Sequence, residues 1–319
     1  MKKEITIIIV SYNKSNCLKE CIDSCLSQKS IDNTEIIIGD DGSSDGSIDI
    51  IKQYADEYPD TITYFVMERI ITEPIIGSIR ASNVIKTALQ KASGNFIYLL
   101  SCDDYICDKD FIYNGSKILN QNPEIKAVAA KSFKKVFSDG KEIVCTVKPY
   151  APQIYWTGAY NHISCYIFRK NYASANLLDR FCDDTGLEYS FIGKWKYIDS
   201  IAFNYRQIDN SIMHNSDLLE LNLLEMMLFQ DCLNRKKLAK IFSLSRFYRP
   251  LHYMFKHRNE ITQSKYAKYI SNSEKYANNV ISEILEYDDF SILKKMTYRL
   301  YLCYGAFVTL FFKIIRKIS

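Results

Sequence analysis

Six residues near the N-terminus restrict what this chain can become more than any others. Ile5-Thr6-Ile7-Ile8-Ile9-Val10 is a β-branched run without polar alternation. It is too short for a helix standing alone and suits a strand buried on both faces of a parallel sheet. The next segments repeat the idea. Apolar residues at 17, 18, 21, 22, 25 and 26 form one stripe of a helix, with Ser15 or Asn13 as its expected cap. Glu35 to Gly39 reads as a second strand, and a helix succeeds it with Ile48, Ile51 and Tyr54–Ala55 on its inner face. Ile62 to Val66 and Phe96 to Leu100 read as further strands. Between them a helix from about Ser78 to Lys91 turns Val84, Ile85, Ala88 and Leu89 inward, and Gly94 is expected to end it as a C-terminal glycine.

Strands and helices alternating through short links define an α/β fold with a doubly wound, mostly parallel sheet. Ligands of such sheets sit beyond the carboxyl ends of the strands. Polar residues stand at three of those ends: Ser11-Tyr12-Asn13, Asp40-Asp41 and Asp103-Asp104. After about residue 125 the pattern turns to shorter extended segments, 127–130, 142–147 and 164–169, around the aromatic residues Tyr155, Trp156 and Tyr160. Those aromatics suit either a stacking platform for a ligand or simple core packing. From about Ser216 onward the chain reads as helical. The expected division is therefore a domain over 1–215 and a basic, mainly helical region over 216–319.

Charge supports two regions with two tasks. Residues 233–319 hold 17 Lys or Arg against 6 Asp or Glu, a surplus of +11, so residues 1–232 balance at −7 within the total of +4. Leu300 to Phe312 is apolar but falls short of the roughly 20 residues a membrane span needs. Lys313, Arg316 and Lys317 come directly after it, which suits a helix lying on the inner face of an anionic membrane, or packing on the body or a second subunit. Cys17, Cys21 and Cys25 share a helix face without the paired spacing of a zinc site, and read as core. With no signal peptide apparent, ten scattered cysteines fit a reducing cytoplasm, and the chain is expected there, peripheral to the membrane.

Asp103-Asp104 at a strand end needs a cation or hydrogen-bond donors to offset the repulsion of two adjacent carboxylates. Oxygen ligands suit Mg²⁺ or Mn²⁺ bridging to a diphosphate; the plain alternative is a cap for a helix at 109–119. The blocks Ile8 to Asn13, Glu35 to Ser47 and Ala88 to Tyr105, in this order and separation, resemble signature blocks of family-two inverting glycosyltransferases of the GT-A fold. The resemblance spans roughly the first 215 residues and implies a nucleotide-sugar donor, UDP-linked in most of the family, with Mg²⁺ or Mn²⁺.

Several roles are implied by that resemblance. Ser11, Tyr12 and Asn13 line the nucleotide pocket. Asp41 reads the base, with Asp40 kept as the alternative. Arg80 and Asn83 touch the donor, although Arg80 suits a solvated helix face equally well. The metal motif reads Ser101-Cys102-Asp103-Asp104, with Ser101 where the family commonly has its first aspartate. Asp103 is the direct metal contact, Cys102 lies against the donor, and Asp104 supports. Asp184, with Asp183 beside it, takes the place of the base that deprotonates the acceptor hydroxyl, against a reading as a helix N-cap pair. Arg206 and Ser211 meet the diphosphate, Arg206 having a structural ion pair as its alternative. His214 is either a third metal ligand or a plain loop residue.

The acceptor implied is a glycan or polyprenyl-linked hydroxyl, and no nucleic acid is expected. A nucleotidyltransferase would place glycine in Val10–Lys14, where none stands, and a nicotinamide dehydrogenase would carry Gly-x-Gly-x-x-Gly. A non-catalytic sugar-nucleotide binder is the remaining rival, on account of Ser101.

Overall fold

The computed structural model describes residues 3–69, 77–147, 162–172 and 195–207, and its elements are those of the described residues. All belong to one compact unit, Met1–Tyr150 with Tyr160–Asn215. Asp183, Asp184, Ser211, His214, the aromatic trio at 155–160 and the whole of 216–319 lie outside them.

β1 (Ile5–Ser11), α1 (Ser15–Leu26), β2 (Thr34–Asp40), α2 (Ser47–Glu57), β3 (Ile62–Val66), α3 (Gly77–Lys91) and β4 (Phe96–Ser101) alternate as expected. They are followed by β5 (Tyr105–Ile106), α4 (Phe111–Gln121), β6 (Ala127–Phe137), β7 (Glu142–Thr146), β8 (Tyr166–Arg169) and β9 (Trp195–Gln207). The sheet runs β3-β2-β1-β4-β8-β6-β9-β5, with β7 added to β6. Its first four strands are parallel, whereas β8 is antiparallel to both β4 and β6. The sheet is therefore mixed, not doubly wound throughout. Beyond β4 the sheet continues through β8, which is antiparallel to both of its neighbours, β4 and β6.

β1 is central, and Ile5, Ile7, Ile8 and Ile9 are all fully buried, which requires cover on both faces of the sheet. Each such side chain contributes about 1.5–3 kcal/mol relative to exposure. Cys17, Cys21 and Cys25 are buried on α1, as the core reading expects. Burial and the neighbouring Cys25 hold the Cys21 thiol well above its ordinary range, so it stays a neutral packing group.

Two local expectations change. Gly94 lies three residues past α3 and does not have positive φ. Its value is close approach: a Cβ there would lie 2.6 Å from the Thr6 backbone nitrogen. The first helix, in turn, takes no cap from Asn13 or Ser15. Its N-cap is Lys14, which makes no side-chain capping bond, and the Ser15 N–H donates instead to Asp45 Oδ2 at 2.9 Å, from the loop after β2.

Candidate nucleotide-sugar site

Register places the functional ends of the parallel strands together: Ser11 pairs with Asp40, Val10 with Ser101, and Asp40 with Val66. The loop after β1 is then fastened to the loop after β2. Asp41 N–H donates to Ser11 O (2.9 Å), Asn13 N–H to Ser43 Oγ (2.9 Å), Ser44 N–H to Asn13 Oδ1 (2.8 Å) and Lys14 N–H to Ser47 Oγ (3.2 Å). Asn13 sits at φ 48°, the left-handed region that asparagine tolerates better than most residues. Its side chain is engaged in holding the loop.

The two adjacent aspartates divide the work. Asp40 is fully buried and turns back on its own loop, its oxygens taking the Ser43 N–H and Ser43 hydroxyl at 2.7 Å each. Asp41 faces a pair of arginines. Arg69 Nη2 lies 2.8 Å from Asp41 Oδ2, and Arg80 Nη2 lies 2.6 Å from Oδ1, close but not aligned as a hydrogen bond. Arg69 Nε also donates to the Asp41 carbonyl at 2.7 Å, and its Nη1 to the Tyr12 hydroxyl at 2.6 Å. The Arg69 guanidinium stacks 3.6 Å over the Tyr12 ring. Arg80 is therefore paired with Asp41 and largely covered, not solvated on its helix face. Asn83 is exposed further along α3, and its side chain makes no bond to this cluster among the described residues.

Arg69 was not expected from the sequence. The available signal was topological: it stands three residues beyond β3, the one parallel strand whose end carried no noted polar group. Gly42 makes room for it. At φ +75°, a Cβ on Gly42 would lie 3.0 Å from the Met67 carbonyl and 3.1 Å from Arg69 Cγ.

At the end of β4 the chain turns sharply, with Asp104 N–H donating to Ser101 O at 3.0 Å. Cys102 is nearly buried, its backbone N–H is taken by Val10 O (3.0 Å), and its thiol meets the equally buried Ser11 hydroxyl. Burial first, and Asp103 second, push that thiol up, so it remains protonated. Ser11 and Cys102 are thus both buried beneath the ends of β1 and β4.

Asp103 is half-buried and its carboxylate has no hydrogen bond or ion pair among the described residues. Asp104 points the other way and is fully buried. Its Oδ1 accepts the Arg206 N–H of β9 at 3.0 Å, while Oδ2 has no hydrogen bond and His162 Nε2 stands 3.9 Å away. Burial, then the charge of Asp103, raise its pKa well above the usual carboxylate range. The pair is not a helix cap, because β5 intervenes before α4 begins at Phe111. The Arg206 side chain pairs with Glu20 of α1 and lies 4.7 Å over the Tyr105 ring.

Oxygen donors such as Asp103 fit a hard divalent cation that completes its shell with diphosphate oxygens and water. No cluster of three ligating side chains occurs among the described residues, so Asp103 would be one contact and not a full cage. Nor is any helix among them long and apolar enough to cross a membrane.

A parallel α/β sheet with polar loops at its carboxyl ends and an aspartate after β4 suits a ligand-binding site at those ends. The family model for glycosyl transferase family 2 matches residues 6–174, and the chain belongs to that family. Among its relatives are a poly(ribitol-phosphate) beta-glucosyltransferase of Bacillus spizizenii, 34% identical over 117 residues, covering 36% of this chain and 17% of that protein. Chondroitin synthase of Pasteurella multocida is 26% identical over 255 residues, covering 74% of this chain and 24% of that protein. The chain thus matches a quarter or less of the length of these relatives. The fold is shared with S. aureus TarS 1-349 in complex with UDP-GlcNAc, at TM-score 0.57 and 14% identity, covering 95% of this chain and 92% of that one.

Proposed function

We propose that this chain transfers a sugar from a UDP-linked donor to a hydroxyl of a glycan or polyprenyl-linked acceptor, inverting the anomeric centre by a single displacement. The observation that carries the reading is Asp103: an uncommitted carboxylate at the end of β4, on a sheet edge whose neighbouring loops hold Asp41 between two arginines. Asp41 accepts a hydrogen bond from the base, and Tyr12 supplies a stacking face. Asp103 is the group that would hold Mg²⁺ or Mn²⁺ against the diphosphate. A divalent ion there supplies neutralisation of the charge that collects on the departing nucleoside diphosphate. Asp104 is assigned a positioning role, since its Oδ1 ties the turn to β9 through the Arg206 N–H. We assign the base to Asp184 with Asp183 as companion, contact with the diphosphate to Ser211, and a third metal ligand to His214. Relatives that by name act on poly(ribitol-phosphate) and make chondroitin support a glycan acceptor.

A panel of UDP-, GDP- and dTDP-sugars with Mn²⁺, read by mass spectrometry, tests the donor. Asp184→Asn is expected to abolish transfer with UDP affinity nearly intact, and Asp103→Asn to remove metal-stimulated donor binding. Equal loss of transfer and UDP affinity in Asp184→Asn would reject the base assignment. Nucleotide binding without turnover of any donor would reject the transferase reading.

A further inference from the structure

We infer that His162 is a positioning residue for the turn at the end of β4, acting through the Asp104 carboxylate on the place of Asp103. This rests on the assignment of a divalent cation to Asp103. Asp103 makes no hydrogen bond or ion pair among the described residues, so its flanking residues set its position. Cys102 N–H is fastened to Val10 O of β1, and Asp104 N–H to Ser101 O. Asp104 is also tied to β9, since its Oδ1 accepts the Arg206 N–H at 3.0 Å. Its other oxygen, Oδ2, is buried without a hydrogen bond, and His162 Nε2 faces it at 3.9 Å.

The imidazole is held so that a donor meets that oxygen. His162 caps the single helical turn Ile163–Cys165 that leads into β8, and its Nδ1 accepts the Ser164 N–H at 3.3 Å. A ring nitrogen that accepts carries no proton, so the imidazole proton is on Nε2, the nitrogen directed at Asp104. The ring is fixed from β9 as well, with centroids 4.8 Å from Phe203 and 4.9 Å from Tyr205. Residues 203–206 of β9 thus hold both partners. The gap to Oδ2 exceeds an ordinary N–H···O distance by roughly 1 Å, which small rotations of the imidazole and carboxylate close. The bond satisfies a buried acceptor whose desolvation is otherwise uncompensated.

Capping alone does not call for histidine. Ser, Thr, Asp and Asn are the preferred caps, and each supplies the one acceptor a cap needs. Histidine adds a second nitrogen on the far side of the ring, and the two can be separated by substitution. Asparagine places an amide oxygen near Nδ1 and keeps the cap; glutamine places an amide near Nε2 and keeps the donor.

Calorimetry of UDP binding to the full chain with and without Mn²⁺, in wild type, His162→Asn, His162→Gln and Asp103→Asn, tests the inference, with thermal melts setting a temperature at which every variant is folded. His162→Asn is expected to lose roughly tenfold in UDP affinity with Mn²⁺ present, the lower end of the range for outer partners of a metal site, and little in its absence. His162→Gln is expected to recover most of that loss. Should His162→Asn not fold, His162→Ser, which also caps, takes its place. If His162 only caps, the asparagine variant matches wild type and the glutamine variant is the impaired one; that order, or equal affinities in all three, overturns the inference. In an Asp104→Asn background the His162→Asn loss is expected to vanish, and a full additional loss would show that His162 does not act through Asp104. A wild type whose UDP affinity ignores Mn²⁺ overturns the cation assignment at Asp103 and the role of His162 with it. An Mn²⁺ effect lost in Asp103→Asn but kept in His162→Asn rejects the role of His162 alone.

Discussion

Asp45, in the loop after β2, joins the starts of two helices, and its removal has a calculable cost. Oδ2 takes the first N–H of α1, from Ser15, and Oδ1 takes both the N–H (3.1 Å) and hydroxyl (2.6 Å) of Ser47, the first residue of α2. Neither helix has a side-chain bond from its own N-cap, Lys14 or Gly46. Asp45→Ala therefore uncaps both at once. A cap is worth about 1 kcal/mol at an exposed site, with a range of roughly 0.5–2, so the pair predicts about 1–3 kcal/mol. At roughly 2–4 °C per kcal/mol for a domain of this size, Tm should fall by about 2–12 °C.

The pH dependence gives a second, sharper test. Burial raises the Asp45 pKa, but the donors from Ser15 and Ser47 outweigh it and the value lies below the ordinary 3.8. A carboxylate with a depressed folded pKa stabilises fully above its unfolded value, and that stabilisation is lost as pH falls through the folded one. The gap between wild type and Asp45→Ala should thus be flat from neutral pH down to about pH 4 and narrow below it. Asp45→Asn keeps one acceptor but no charge, and its distance from Asp45→Ala should stay constant with pH. Thermal melts across a pH series read all three proteins. A Tm for Asp45→Ala equal to wild type at pH 7, or a gap that widens on acidification, would refute the double-cap account.

Gly94→Ala should be destabilising by about 1–3 kcal/mol, because its Cβ would meet backbone atoms of Ile5 and Thr6 at 2.6–2.7 Å, and backbone cannot rotate away. Chemical denaturation measures this, and a neutral outcome would mean that β1 shifts freely there. Tyr98→Phe is expected to be neutral or to stabilise by about 1 kcal/mol, since the buried Tyr98 hydroxyl has no hydrogen-bond partner among the described residues. A clear loss of stability in the same assay would reveal a partner for that hydroxyl.

The parallel half of the sheet was legible because its signal is local. Runs such as Ile5 to Val10, and the stripe through Cys17, Cys21 and Cys25, state their burial in the order of their own residues. Strand β6 was only partly legible: its first four residues are buried and read as extended, while Lys131 to Phe137 continue the strand as a half-exposed ribbon with β7. Lysine-rich, partly solvated strand residues carry little apolar pattern, so the strand's full length to Phe137 depends on cross-strand pairing. The cap of α1 was illegible for a related reason, because its acceptor comes from thirty residues away.

The Asp40-Asp41 pair shows what only three dimensions can decide. Two identical side chains, adjacent in sequence at the end of one strand, must point to opposite sides of it. One finds the Ser43 turn and becomes part of the loop; the other finds Arg69, whose approach depends on Gly42 having no Cβ. Asp103 and Asp104 repeat the division at the end of β4, the first open and the second buried against the N–H of Arg206. In both pairs one carboxylate is engaged in holding the loop, while its neighbour turns elsewhere, Asp41 to two arginines and Asp103 to no hydrogen bond or ion pair among the described residues. An acidic dipeptide at such a strand end is therefore not read as two equivalent groups, since one of the two is an anchor. Ser101 in place of a first aspartate is compatible with that, because the residue that fastens the turn, Asp104, is present.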